Sequence, residues 1–258
     1  MSLPATRGAA TFRRMRILVL AAIGCACPVD AAERRPFVTS FDRVRVEGPF
    51  RVVVTSGRSP AGRITGDARQ LDQVEVGQNG RTVYVRRRGG AAGPLPLPAP
   101  AQPVLVTLNT PTLSAAYLVG NGALEVAGMK GPRLDLSVTG AGAITAAGAN
   151  GAELNATTIG SGRITVVGRV DRVRVLVNGA GGVDAGALDA GDLTVRLDGP
   201  GEVAARARFT ADLVSTGLGR ISVAGSPKCQ VRAPAGGTVL CGVKSAPARS
   251  DGPSAPPA

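Results

Sequence analysis

From residue 114 onward, apolar and polar positions alternate in short bursts, each anchored to a glycine. Two residues before that glycine stand Leu118, Val138, Thr158, Val177, Leu197 and Ser215. Four before stand Ala116, Leu136, Ala156, Val175, Val195 and Leu213, and six before stand Ser114, Leu134, Leu154, Val173, Leu193 and Ala211. The positions between are more polar: Asp135, Ser137, Asn155, Thr157, Arg174, Thr194, Arg196 and Asp212. Such alternation predicts a strand with one buried face. A second strand follows each glycine. Its inward positions are Leu124, Ile144, Ile164, Val183, Val203 and Ile221, then Val126, Ala146, Val166, Ala185, Ala205 and Val223. A further small residue closes each burst: Gly128, Gly148, Gly168 or Gly225, with Ala187 and Ala207 in the other two.

The anchoring glycines come in G-x-G pairs: Gly120/Gly122, Gly140/Gly142, Gly160/Gly162, Gly179/Gly181, Gly199/Gly201 and Gly217/Gly219. Successive first glycines lie 20, 20, 19, 20 and 18 residues apart. A glycine-rich phosphate loop would occur once and open a helix, and a dinucleotide fingerprint would need glycine where Thr145 stands. A motif repeated at this interval marks a stacked coil instead. Each repeat is then one turn, and each column of similar side chains runs along the axis. The fold predicted is all-β: a single-stranded parallel β-helix, or β-solenoid, with coils of about 20 residues. Parallel winding favours a right-handed coil. The glycines supply corners, through positive φ or close backbone approach.

Residues 37–88 contain strand-like runs, such as Arg43-Val44-Arg45-Val46 and Thr82-Val83-Tyr84-Val85, without the glycine period. They read as irregular first coils or as a sheet that caps the open end, which a solenoid needs. Residues 89–103, rich in Gly, Pro and Ala, read as a loop or spacer. The solenoid domain is expected over 33–242, and the tail 243–258 is expected to be disordered.

Residues 1–32 read as a secretory signal: Arg13, Arg14 and Arg16 precede the apolar run 17–24, and Ala31 and Ala32 follow. The start can be Met1 or Met15, and Ile23-Gly24-Cys25 faintly resembles a lipoprotein site, leaving lipidation at Cys25 or Cys27 open. No later segment is long and apolar enough to span a bilayer. The remaining pair, Cys229 and Cys241, reads as a disulfide in an exported chain, clamping the last coil.

The chain of 258 residues has 36 Gly, 19 Pro, 3% aromatics, no Trp and no His. Its core must therefore be built from aliphatic side chains. Absent His removes the commonest general base and metal ligand. The net charge of +12 points to anionic partners at the envelope, surface polysaccharide or lipid headgroups. Nucleic acid is not expected, because basic residues are scattered and stacking aromatics few. Arg86-Arg87-Arg88, the one dense cluster, reads as a solvated strand end.

With these residues in view, the sequence resembles the family of the putative auto-transporter adhesin head, the GIN domain. The resemblance is carried by the opening FDRVRVEGPFRVVVTSG, by TGAGAI, IGSGRI, DGPGEV and TGLGRI, and by the closing VAGSPKCQV. It spans about residues 37–242 and implies a secreted or surface-anchored β-solenoid. It brings no catalytic motif and no cofactor. The Pro-rich insertion and the cysteine pair depart from it.

Three functions remain. The first is an exported, non-enzymatic module of the envelope, periplasmic or on the cell surface, with a binding, adhesion or structural role. Its candidate ligand-facing residues are Arg163, Thr165, Glu202, Arg220 and Ser222, set against the plainer reading that they are solvated face residues. The second is a polysaccharide-degrading β-helix enzyme using carboxylates or calcium. Its only local cluster is Asp184, Asp189, Asp192 and Asp198, and the calcium-repeat Asp of GAGGVDAG is replaced by Thr165 and Ala204 in the neighbouring turns. No catalytic or metal residue is therefore assigned. The third is a self-associating scaffold, since an uncapped solenoid end offers strand edges.

Overall fold

The computed structural model describes residues 32–89 and 104–243. The expected signal segment with Cys25 and Cys27, except Ala32, and almost all of the Pro-rich segment and the expected tail lie outside the described residues. The chain starts with short strands: β1 (Ala32–Arg34), β2 (Arg43–Glu47), β3 (Arg51–Ser56) and β4 (Ala61–Gly66). A one-turn helix α1 (Ala68–Leu71) leads to β5 (Val74–Asn79) and β6 (Thr82–Arg87), and then come β7 (Leu105–Thr110) and β8 (Ala115–Gly120). The repeats follow as long strands that bend around the coil: β9 (Ala123–Gly140), β10 (Ala143–Gly160), β11 (Arg163–Asn178), β12 (Gly182–Asp198) and β13 (Glu202–Ser215). Three short strands finish the chain: β14 (Arg220–Gly225), β15 (Lys228–Arg232) and β16 (Thr238–Val243).

The repeat strands stack in parallel, each pairing with its copies one coil before and after. Ile144 lies opposite Leu124 and Ile164, and Leu154 opposite Leu134 and Val173. The columns anticipated from the sequence are the core: Leu124, Ile164, Val203 and Ile221 have no exposure, and Leu134, Val138, Leu154, Val177 and Val195 likewise. Ser114 departs from its column by staying half-exposed. Parallel strands with one face covered in this way form a β-solenoid. Each coil has two longer sides, one before and one after the G-x-G corner. A short third side joins them, as where Met129–Gly131 lies opposite Ala149–Gly151.

In five of the six G-x-G corners, all but that at Gly217, the two glycines do different work. The first takes a backbone that L side chains rarely adopt: φ is +106° at Gly120, +113° at Gly140 and +107° at Gly160. The second lacks room. A Cβ at Gly142 would fall 2.7 Å from the carbonyl oxygen of Gly122, and one at Gly162 would fall 2.7 Å from that of Gly142. Stacked corners therefore leave space only for hydrogen at that position. Backbone bonds run through the stack, with Gly142 N–H donating to Gly120 O at 2.8 Å and Gly181 N–H to Gly160 O at 2.8 Å.

The third-side corner is less regular. Gly128, Gly148 and Gly168 all have positive φ, but Gly168 lies opposite Ala149 and Leu188 rather than Gly148 and Ala187, across register shifts on both sides of β11. Ala187 is therefore not the counterpart of Gly168. The extra residue in β12 is taken up by a tight turn in which Asp184 Oδ1 accepts the Gly186 N–H at 3.0 Å.

The N-terminal region is both coil and cap. β2 and β3 form a true rung around Gly48, whose φ is +116°. This rung is inserted out of chain order: β2 pairs with β6 on one side and β8 on the other, and β3 with β7 and β9, all in parallel. Beyond it the direction reverses, as β5 pairs antiparallel with β6, β4 with β7, and β1 with β4. Leu71 of α1 is buried over this end. The strands that flank residues 89–103, β6 and β7, pair with β2 and β3, the two strands on either side of the Gly48 corner.

At the far end, Cys229 and Cys241 form a disulfide with Cα atoms 6.5 Å apart. Cys229 extends the inward column of Ala211, and Cys241 that of Val223. The bridge thus joins two sides of the last coil across the core layer.

Candidate functional site

Outward side chains form columns as regular as those of the core, because parallel in-register pairing places like positions side by side. On the side after the corner, one column reads Arg163, Gly182, Glu202, Arg220 and the next reads Thr165, Asp184, Ala204, Ser222. The structure thus brings Arg163, Thr165, Glu202, Arg220 and Ser222 onto one face within four rungs. Arg163, Glu202 and Arg220 are exposed. Thr165 and Ser222 are half-buried, and the Ser222 hydroxyl lies 3.5 Å from Val203 O. Gly182 separates Arg163 from Glu202, so the five make a flat array without a pocket-like focus.

The four aspartates do not converge. Asp184 lies on the face after the corner and Asp198, opposite Asn178, on the face before it. Asp189 is on the third side, held by Arg169 at 3.1 Å and Arg208 at 3.3 Å. Asp192 accepts the Thr210 hydroxyl at 2.6 Å. No two of them face each other across a space where a glycosidic bond could lie. Among the described residues, no group of three metal-ligating side chains comes together.

The third side is electrostatically self-contained. Arg133 and Glu153, one coil apart, pair at 2.9 Å, and Glu153 also pairs with Arg172 of the next coil at 3.1 Å. Arg169, Asp189 and Arg208 repeat the pattern one column away. Cations and anions thus alternate along the axis. Its hydrogen bond to Arg133 holds the Glu153 carboxyl below the ordinary range, against a smaller opposing effect of burial, and the charge of Arg172 adds to the lowering.

The face before the corner carries a feature that alternation alone did not reveal. One outward column reads Tyr84, Arg45, Tyr117, Ser137, Thr157, Leu176, Arg196. The column beside it reads Glu47, Val119, Thr139, Ile159, Asn178, Asp198. Between the Arg45/Glu47 rung and the Arg196/Asp198 rung, four successive rungs carry no charge in either column. Tyr117, Val119, Ser137, Thr139, Thr157 and Ile159 occupy the first three, and Leu176 continues the stripe. Ile159 is 47% exposed and Leu176 43%. Both tyrosines of the chain lie in this column, two rungs apart with Arg45 between them, and the Arg86 guanidinium sits 4.8 Å over the Tyr84 ring. The sequence signal for the stripe was the pairing of Val119 with Ile159 in one outward column and Leu176 in the next. It emerges only when outward positions are aligned as columns.

Comparison with known proteins places this architecture. Residues 40–227 match the family model described as putative auto-transporter adhesin, head GIN domain. No curated protein matches. Among solved structures, the chain is similar to a putative adhesin from Bacteroides fragilis NCTC 9343, with 20% identity, a TM-score of 0.75 and coverage of 82% of this chain and 96% of that one. It is similar to a putative lipid binding protein from Parabacteroides distasonis ATCC 8503, with 19% identity, a TM-score of 0.65 and coverage of 82% and 96%. A putative adhesin from the same organism has 17% identity, a TM-score of 0.62 and coverage of 83% and 98%. At these identities the likeness is one of fold.

Proposed function

The chain belongs to the putative auto-transporter adhesin head, or GIN domain, family, and from that premise we propose that it is an exported, non-enzymatic binding module of the bacterial envelope whose ligand is a surface polysaccharide. The observation that carries this reading is the uncharged stripe from Tyr117 to Leu176. Four rungs at about 4.8 Å make a flat strip long enough for several sugar rings laid along the axis. Ser137, Thr139 and Thr157 supply hydroxyls that both donate and accept. Tyr117, Ile159 and Leu176 supply apolar surface for the faces of sugar rings. Charged rungs bound the strip at both ends.

The opposite charge balance has a separate role. Arg163 and Arg220, on the face after the corner, draw anionic polymers to the molecule, and Thr165, Glu202 and Ser222 complete that second surface. Attraction of this kind is screened by salt, whereas contacts along the stripe are not. The test is a panel of envelope and host glycans presented to the purified protein at low salt and at about 0.15 M. A selective signal that survives the higher salt supports the proposal. Binding to every anionic polymer that disappears with salt, together with silence on the rest of the panel, overturns it.

A further inference from the structure

The two ends of the solenoid are built differently. The N-terminal end is closed by antiparallel strands β1, β4 and β5 and by Leu71. At the other end, among the described residues, β15 pairs only with β13 and β16 only with β14. The inward columns continue into this last coil: Val231 lies on Leu213 and Val239 on Ile221. Leu213 and Ile221 are fully buried, yet Val231 is 48% exposed. A core layer has been laid down and tied across by the disulfide, and among the described residues no strand pairs on its outer side.

The charges of this end are equally one-sided. From residue 213 to 243 the chain contains Arg220, Lys228 and Arg232 and no Asp or Glu. In the third-side columns of earlier coils cations are answered one rung away, as Glu153 answers Arg133 and Arg172. At this end Arg220 lies opposite Glu202, whereas Lys228 lies opposite Thr210 and Arg232 opposite Val214. The column that holds Arg133, Glu153, Arg172 and Asp192 continues through Thr210 to Lys228, where it stops on a cation. Thr210 breaks the alternation, so Lys228 stacks on a neutral residue, and a carboxylate placed on it would meet it as Glu153 meets Arg133.

We propose that the C-terminal end of the solenoid is a strand-docking site for an extended segment of another protein in which acidic and apolar residues alternate. Such a segment adds a rung to the open edges of β15 or β16 by main-chain hydrogen bonds. On β15 its apolar residues cover Val231 and its carboxylates face Lys228 and Arg232. A second copy of the chain fits poorly, because abutting two such ends sets Lys228 and Arg232 against the same cations. In sequence, the chain's own residues 244–258 do not have this alternation of acidic and apolar residues. They carry Lys244 and Arg249 against Asp251, with prolines at 247, 253, 256 and 257.

The test uses the full chain and two blocked, fluorescently labelled peptides at about 0.15 M salt. One is Glu-Val-Glu-Val-Glu-Val-Glu. The other replaces each Val by Pro, keeping the charge and removing the strand. The expected result is binding of the first peptide at least about tenfold tighter than the second. The double variant Lys228→Glu/Arg232→Glu is expected to lose that preference and to favour Lys-Val-Lys-Val-Lys-Val-Lys. Should it fail to fold, Lys228→Glu alone carries the comparison. Equal binding of both acidic peptides, or binding of neither, overturns the proposal. So does a concentration-dependent dimer that the double variant abolishes, since a second copy would then own the end.

Discussion

A corner glycine and a buried threonine show how closely single atoms are held in this molecule. Gly162 has no positive φ, yet a Cβ there would press on Val138 and on the Gly142 carbonyl. Gly148 has φ +73° with no atom nearer than 3.6 Å to such a Cβ. Gly162→Ala should therefore lose stability by overpacking, about 1–3 kcal/mol, and Gly148→Ala by backbone strain alone, about 1–2 kcal/mol. Chemical denaturation of both variants, with local hydrogen exchange at the corners, tells the two causes apart. Thr158 replaces an aliphatic residue in a core column, and its hydroxyl oxygen is buried without a hydrogen-bond partner. Thr158→Val should raise stability by about 1 kcal/mol. Thr110, also fully buried, donates its hydroxyl to Phe41 O, so Thr110→Val should lower it. Equal effects of the two valines would contradict this account of the core. Thr158 was visible in the sequence as an exception within its column, but its missing partner was not, because that depends on which carbonyls the neighbouring coils present.

Between neighbouring coils, the alternating charges on the third side fix register more than they add energy, since exposed pairs are individually weak. A slip of one coil would set Arg133 against Arg172-like partners along the whole column. Because the Glu153 carboxyl is held below its ordinary value of 4.5, its contribution is present above that value and is lost as pH falls through the lowered one. The difference in melting temperature between the native chain and Glu153→Gln should therefore be largest near neutral pH and shrink on acidification. A difference that grows in acid would reverse the assignment. The disulfide acts on one coil only. Removing it with Cys229→Ser and Cys241→Ser should cost about 2–3 kcal/mol on the loop-entropy model. Hydrogen exchange should rise in β15 and β16 and stay unchanged in β10 and β11, as expected where each repeat contacts only its neighbours. At this scale the repeat strands were legible because glycine and aliphatic columns share one period. The rung of β2 and β3 was not. Phe50 stands where its second corner glycine would be, and its position between later strands leaves no local mark on the sequence.

For the molecule as a whole, one rule of stacking generates core, corners and surface together. Inward columns could be read from the sequence since they are uniformly apolar. Outward columns could not, because the proposed binding surface is a run of uncharged positions spread over coils about 20 residues apart. The sequence reading placed candidate residues on the face after the corner, where arginines stand out. The face before the corner, with Tyr117, Thr157, Ile159 and Leu176, carries the more distinctive surface. The measurement that tests the account most directly compares glycan binding by the native chain, by Thr157→Lys and by Arg163→Ala/Arg220→Ala, at about 0.15 M salt. Thr157 lies at the middle of the stripe and is half-exposed, so the lysine alters the surface and leaves the core intact. The account predicts that Thr157→Lys lowers affinity at least about tenfold while the arginine variant changes it less than about threefold. The reverse order would contradict it and move the binding surface to the opposite face.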